Sequence, residues 1–361
     1  MKTCLQTFRA GVDELVAFLQ STEDETELND LFLRRQDALE GREKELLLQI
    51  TSARTDRKRY VYTVAIISLY GLLERFVDTS IEAFVDRVAS SVSSYELMPE
   101  AIKRNHVPMS LELVKAIVEE RHRSSTTQED VIGNLHSCLS GATVFRVNGS
   151  AFVLHRGNIS LGRITEFLTA VGITPHLRRV TLAHDLLDFF HSREPELDVR
   201  MVPDQELSGL LRPIDDLVER RNEVSHGVIN IDDIESTELL IERCRFMVAY
   251  GSALYDVMLQ EALKYQINLS SVQGLGRPVA VFNGSIVCFE SSSCRVAVGK
   301  VLVAKTGDAL EPFRYSPIIS LEIDNTPIPA IVVSQPTRFG ARVSFKASER
   351  YDYYVLPDGI I

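Results

Sequence analysis

Tryptophan is absent from the 361 residues, and cysteine occurs only five times. The thiols Cys4, Cys138, Cys244, Cys288 and Cys294 are odd in number, form no CxxC pair and have no adjacent histidine. That pattern argues against a disulfide framework and a zinc site, so reduced thiols, no metal and no cofactor are expected. Long hydrophobic runs are missing too. The longest nearly uncharged stretch, Tyr60 to Leu73, stops at Glu74 and Arg75. It falls short of the roughly 20 residues that span a bilayer, so it reads as a buried core helix and no membrane partner is expected. The segment MKTCLQTFRAGVDELVAFLQ carries charges at Arg9, Asp13 and Glu14 and lacks the unbroken apolar stretch that secretion requires, which predicts a cytoplasmic protein. A basic excess is also lacking. The net charge of −11 excludes a globally basic polyanion binder, and any RNA site must be local. No Walker motif or dinucleotide fingerprint occurs, and GLGRP at 274–278 has neither a preceding strand nor a following helix.

What is present is an ordinary globular mixture, 45% hydrophobic and 25% charged, long enough for two or three domains. Residues 270–361 hold nine Lys/Arg and eight Asp/Glu, which leaves 30 against 42 in residues 1–269, so the acidic excess belongs to the first part. That part reads as helices over 3–20, 26–56, 59–90, 127–139, 159–171, 179–191, 203–225 and 235–265. Residues 91–126, with Pro99, Pro108 and RSSTTQED, read as an irregular insertion holding one helix near 110–122. From Gly274 onward, seven short β-branched runs between Gly, Pro and Asn turns suggest a small barrel or sandwich. The expected fold is multidomain: a helical extension over 1–58 forming a hairpin or coiled coil, a mainly α-helical bundle over 59–266, and a small all-β domain over 267–361.

The segment LVERRNEVSHGVIN, residues 217–230, carries the most chemistry. Arg221, Asn222 and His226 stand at the end of an apolar-periodic helix that Gly227 is suited to terminate. Asn222 and His226 share a helix face, and the long Arg221 side chain can converge with them. A histidine near neutral pKa can move a proton at an RNA 2′-hydroxyl or at the leaving oxygen, and a permanently charged arginine can hold the phosphate. The plain alternative is a solvated arginine and a histidine capping the helix dipole. RRVTLAH also puts Arg179 and His184 five apart, but without the asparagine and the glycine stop. In AIISLYGLLERFVDTSIEAF, the positions Ile67, Tyr70, Glu74, Val77 and Ile81 follow one helix face on which only Glu74 is charged. Such a carboxylate needs a partner, and Arg221 or Arg220 is the natural candidate; otherwise it lies at the stripe's edge and reaches water.

RNEVSH followed by Gly227, with the helix holding SLYGLLERFVD, resembles the HEPN superfamily over about residues 59–266. The resemblance implies a helical fold and a metal-independent endoribonuclease acting as a homodimer, with two motifs facing across one RNA cleft. It implies that Arg221 and His226 are catalytic and that Asn222 supports them, with Glu74 matching the carboxylate of the opening helix. Many members are similar to toxins or antiviral effectors, which adds an antitoxin or sensor as a possible partner. Arg220, with His155 and Arg156 of the polar loop VLHRGNIS, is expected to contact RNA, and KRNH around His106 is a possible basic edge. The tail resembles the small barrel that follows the GTPase domain of translation factors. A non-catalytic scaffold whose β-tail docks a partner is the alternative.

Overall fold

A computed structural model describes residues 1–119, 126–155, 157–227, 233–269 and 272–357. Its helices are α1 (Lys2–Leu33), α2 (Gly41–Ser52), α3 (Arg54–Ser90), α4 (Glu100–Val118), α5 (Gln128–Leu139), α6 (Leu161–Ala170), α7 (His176–Thr181), α8 (His184–Arg193), the single turn α9 (Leu207–Leu210), α10 (Arg212–Ser225) and α11 (Thr237–Leu269). The chain divides into two compact units. One holds Met1–Ala83, Glu100–Val131 and Asn148–Asp256; the other holds Phe84–Pro99, Ile132–Val147 and Val257–Ile361.

The first unit is helical. Leu5, Phe8, Val12, Leu15 and Leu19 recur at 3,4 spacing and are buried, which turns the first half of α1 inward. Phe8 stacks on Phe76 of α3 with ring centroids 4.7 Å apart. Gly251 of α11 permits this approach, because a Cβ there would lie 2.6 Å from Phe8 Cε1. Residues 1–58 therefore do not form a separate extension: α1 belongs to the bundle core, and the expected boundary at 58/59 falls inside α3. The C-terminal half of α1 does pair with α2, and Arg54 at the start of α3 bonds Asp30 of α1 at 3.0 Å. α3 has the length and apolar content of a membrane span, yet Tyr62, Ile66, Leu69, Leu73 and Phe76 are buried in the bundle.

The expected irregular insertion is largely a helix. α4 passes through Pro108 because a proline removes one backbone donor, whereas Ile102, His106, Ser110, Leu113 and Ala116 bury a continuous stripe. The expected helix over 179–191 is instead two, interrupted at Leu182–Ala183, and the one over 203–225 starts properly only at Arg212, with Pro213 in its first turn. His106 is not a basic edge: it is fully buried, stacks on Phe152, and its Nε2 accepts the Asn148 N–H at 3.0 Å.

The second unit contains the strands, eleven among the described residues rather than seven: β1 (Gln273–Gly276), β2 (Ala280–Phe282), β3 (Ile286–Ser291), β4 (Cys294–Ala297), β5 (Val301–Lys305), β6 (Phe313–Pro317), β7 (Ser320–Ile323), β8 (Thr326–Ile328), β9 (Ala330–Val333), β10 (Thr337–Arg342) and β11 (Asp352–Val355). They form antiparallel sheets in the orders β1-β11-β5-β6, β2-β3-β10-β7-β8 and β4-β9. RVAVGKVLVAK splits at Gly299 into β4 and β5, and Asp324 and Asn325, both at positive φ, make the two-residue turn between β7 and β8. Phe289 of β3 meets Tyr353 of β11 edge-on at 5.4 Å, centring one apolar core between the sheets.

Two buried histidines set an acid limit. Burial holds His106 and His176 at about 4, below the ordinary 6.5. An unfolded chain binds these protons first, so the stability they contribute is present above 6.5 and lost as pH falls toward 4. Urea unfolding at stepped pH should show that loss, and His106→Gln should flatten the slope; an unchanged slope would contradict the assignment.

Candidate functional site

On α10 the buried residues Ile214, Leu217 and Val224 form a stripe at helical spacing, and Arg221 occupies the position between Leu217 and Val224 where an apolar residue would be expected. Its guanidinium lies 5.1 Å from the ring centroid of Tyr70, and its Nη1 donates to Asn222 Oδ1 at 3.3 Å. No carboxylate is ion-paired with Arg221 among the described residues. A stacked, half-buried cation without a counter-charge can accept an anionic ligand.

His226 caps the helix. Its backbone N–H donates to Asn222 O at 3.0 Å, and Gly227 follows at φ +70°, the left-handed conformation that ends a helix at low cost for glycine. The His226 side chain is exposed one turn beyond Asn222. Asn222 is held from the other side, where Asn158 Nδ2 donates to its Oδ1 at 2.6 Å.

Glu74 finds a different partner from the one expected. Tyr70 Oη donates to Glu74 Oε1 at 3.0 Å and accepts the Ile159 N–H at 2.9 Å, while His155 Nδ1 lies 3.8 Å from the same carboxylate oxygen. Neither arginine pairs with Glu74, because it sits half-buried at the edge of the stripe, as does the exposed Ile67, while Tyr70, Val77 and Ile81 are buried. Burial, reinforced by the Glu74 charge, pushes the Tyr70 hydroxyl up to about 12, so it remains a donor at neutral pH.

Arg220, expected to contact RNA, is engaged within the protein. It donates to Asp216 at 3.0 Å and Tyr62 Oη at 2.9 Å and lies 3.4 Å from Glu235, and Arg243 joins the same two carboxylates. Burial opposes its charge, but Tyr62, Asp216 and Glu235 outweigh that and raise its pKa above the ordinary value. His155 is likewise turned inward, with Nε2 at 2.7 and 2.9 Å from the two Asp78 oxygens and Nδ1 buried. Arg156 lies outside the described residues. His184, of the second Arg/His pair, is exposed and bound to Asp188 at 2.8 Å.

The structure therefore gathers Arg221, Asn222, Glu74 and His155 around Tyr70, together with Asn158 of the polar loop and Asp78, which the motifs did not single out. Asp78 had a readable signal: Tyr70, Glu74 and Asp78 are spaced i, i+4, i+8 on α3.

These features are those of a HEPN-type helical domain. Residues 37–260 match the family model described as RiboL-PSP-HEPN, well over half of the chain, and the protein belongs to this family. The match ends before the β region begins. No curated protein and no solved structure matches the chain. HEPN domains are often ribonucleases, which places the protein in the broad class of nucleases and RNA-related proteins.

Tyr70→Phe should leave the Ile159 N–H and the Glu74 carboxylate without their shared hydroxyl and destabilise the fold by about 1–3 kcal/mol. Denaturant unfolding measures it, and a change within a few tenths of a kcal/mol would show that the hydroxyl is not a structural link.

Proposed function

We propose that the protein is a metal-independent endoribonuclease in which Arg221 and His226 act on one phosphodiester. The observation that supports this most is Arg221 itself, a cation on the inward stripe of α10, stacked on Tyr70 and ion-paired with no carboxylate among the described residues, with an exposed histidine five positions on. In this reading the RNA 2′-hydroxyl attacks the adjacent phosphorus, the bond to the 5′-oxygen breaks, and a 2′,3′-cyclic phosphate and a 5′-hydroxyl result. His226 takes the 2′-hydroxyl proton or returns one to the leaving oxygen. Arg221 balances charge on the phosphoryl oxygens, Asn222 orients Arg221, and Glu74 holds Tyr70 beneath the guanidinium. The nucleophile is part of the substrate, so a metal-activated water has no role in this scheme.

The proposal includes a homodimer. Tyr60, Val64 and Ile67 are exposed apolar residues at 4,3 spacing on α3, and they lead to Gly71 and Glu74 on the same face. A second copy covering this stripe would bring two sites together on single-stranded or looped RNA. Such cleavage would arrest growth, which fits a cytoplasmic toxin or phage-defence effector restrained by an antitoxin or sensor. The acidic excess of residues 1–269 favours a second reading, a helical scaffold that docks a partner, because it repels RNA at long range.

Purified His226→Ala and Arg221→Ala, assayed with EDTA, should lose roughly 10²-fold or more of the RNA cleavage shown by the wild type while keeping its circular dichroism. Equal behaviour of all three would support the scaffold. Ile67→Glu should convert the dimer to a monomer by light scattering; an unchanged mass would remove α3 from the interface.

A further inference from the structure

The loop between Val153 and α6 is fastened at four points to the two helices that carry the site. His155 binds Asp78 of α3 and faces Glu74; Asn158 binds Asn222 of α10; the Ile159 N–H binds Tyr70 of α3; and the Leu161 N–H donates to Asp215 of α10 at 2.8 Å. Ser160 then caps α6 by accepting the Arg163 N–H at 3.2 Å. Its described residues between Val153 and α6 form no helix or strand, so these side-chain and backbone bonds determine where Asn158 stands. Asn158 in turn holds the Oδ1 to which Arg221 donates.

We propose that His155 is a positioning residue: clamped on Asp78, it fixes the 155–161 loop and through it the orientation of Asn222 and Arg221. Its ring is poorly placed to touch substrate. Nε2 is engaged by both Asp78 oxygens, Nδ1 is buried beside Glu74, and the ring packs edge-on against Phe167 at 5.8 Å. The charged groups facing it are Asp78 and Glu74 from α3, with Arg163 of α6 on the Phe167 ring and itself paired with Glu166. Two carboxylates one helical turn apart repel each other, and an imidazolium between them removes that repulsion. The Asp78 hydrogen bond raises the His155 pKa above its ordinary 6.5, with the Asp78 and Glu74 charges adding to it, although burial opposes. His155 therefore contributes stability that is complete below 6.5 and lost as pH rises through its folded value.

The proposal deepens the ribonuclease reading but has a test that does not require activity. In hydrogen exchange by mass spectrometry, His155→Gln should speed exchange of the 157–162 amides by about tenfold or more while leaving α11 protected, and Asp78→Asn should do the same at alkaline pH. In cleavage assays, His155→Gln should lower kcat by about tenfold or more with KM little changed, because orientation and not binding is lost. Asp78→Asn should move the alkaline limb of the wild-type rate profile to lower pH. Unchanged exchange in folded His155→Gln overturns the proposal, as does an unmoved alkaline limb in an active Asp78→Asn protein. A wild type that cuts no RNA refutes the ribonuclease reading alone, and the exchange result then decides the clamp.

Discussion

The Tyr70 hydroxyl joins three segments that are far apart in sequence. It donates to Glu74 on its own helix, accepts the backbone N–H of Ile159, and its ring forms the surface on which Arg221 rests. The bond to the Ile159 N–H is buried, and that amide would be costly if left unmatched. Moving α10 away from α3 would expose the guanidinium's face, and moving the loop would leave an amide and a phenol unpaired. The positions of α3, α10 and residues 158–161 are therefore interdependent, and the site inherits that rigidity.

Much of the helical region was legible because long helices with strong periodicity announce themselves. α5, α6 and α11 fall within a few residues of expectation, since their apolar stripes and end signals agree. Where the sequence misled, the error has a local cause. Pro108 reads as a breaker, but one lost hydrogen bond is minor beside the stripe from Ile102 to Ala116. The helices expected over 3–20 and from 26 onward are joined, because α1 continues without a break to Leu33. The strands β1 and β6 were missed because QGLG and FRYSP lack β-branched residues, and their pairing comes from neighbouring strands.

Within the site, the motif residues were legible because Arg221, Asn222 and His226 are close in sequence and bounded by Gly227. Their partners were harder to read. Spacing showed that Glu74 needed company, but the company came from Tyr70 on the same helix and His155 some eighty positions away, which no periodicity encodes. Asp78 is legible as the i+8 continuation of Tyr70 and Glu74 on α3, but the histidine that faces it is not.

Arg220 and Arg221 are consecutive, and a helix turns about 100° between neighbours. That rotation separates their fates. Arg220 points into a closed set of two carboxylates, a phenol and a second guanidinium, where its charge is cancelled inside the protein. Arg221 points to an aromatic face that offers attraction without neutralisation. A chain that looks doubly basic at this point presents a single unit of positive potential to its surroundings, so the local field is narrower and more directional than the sequence suggests.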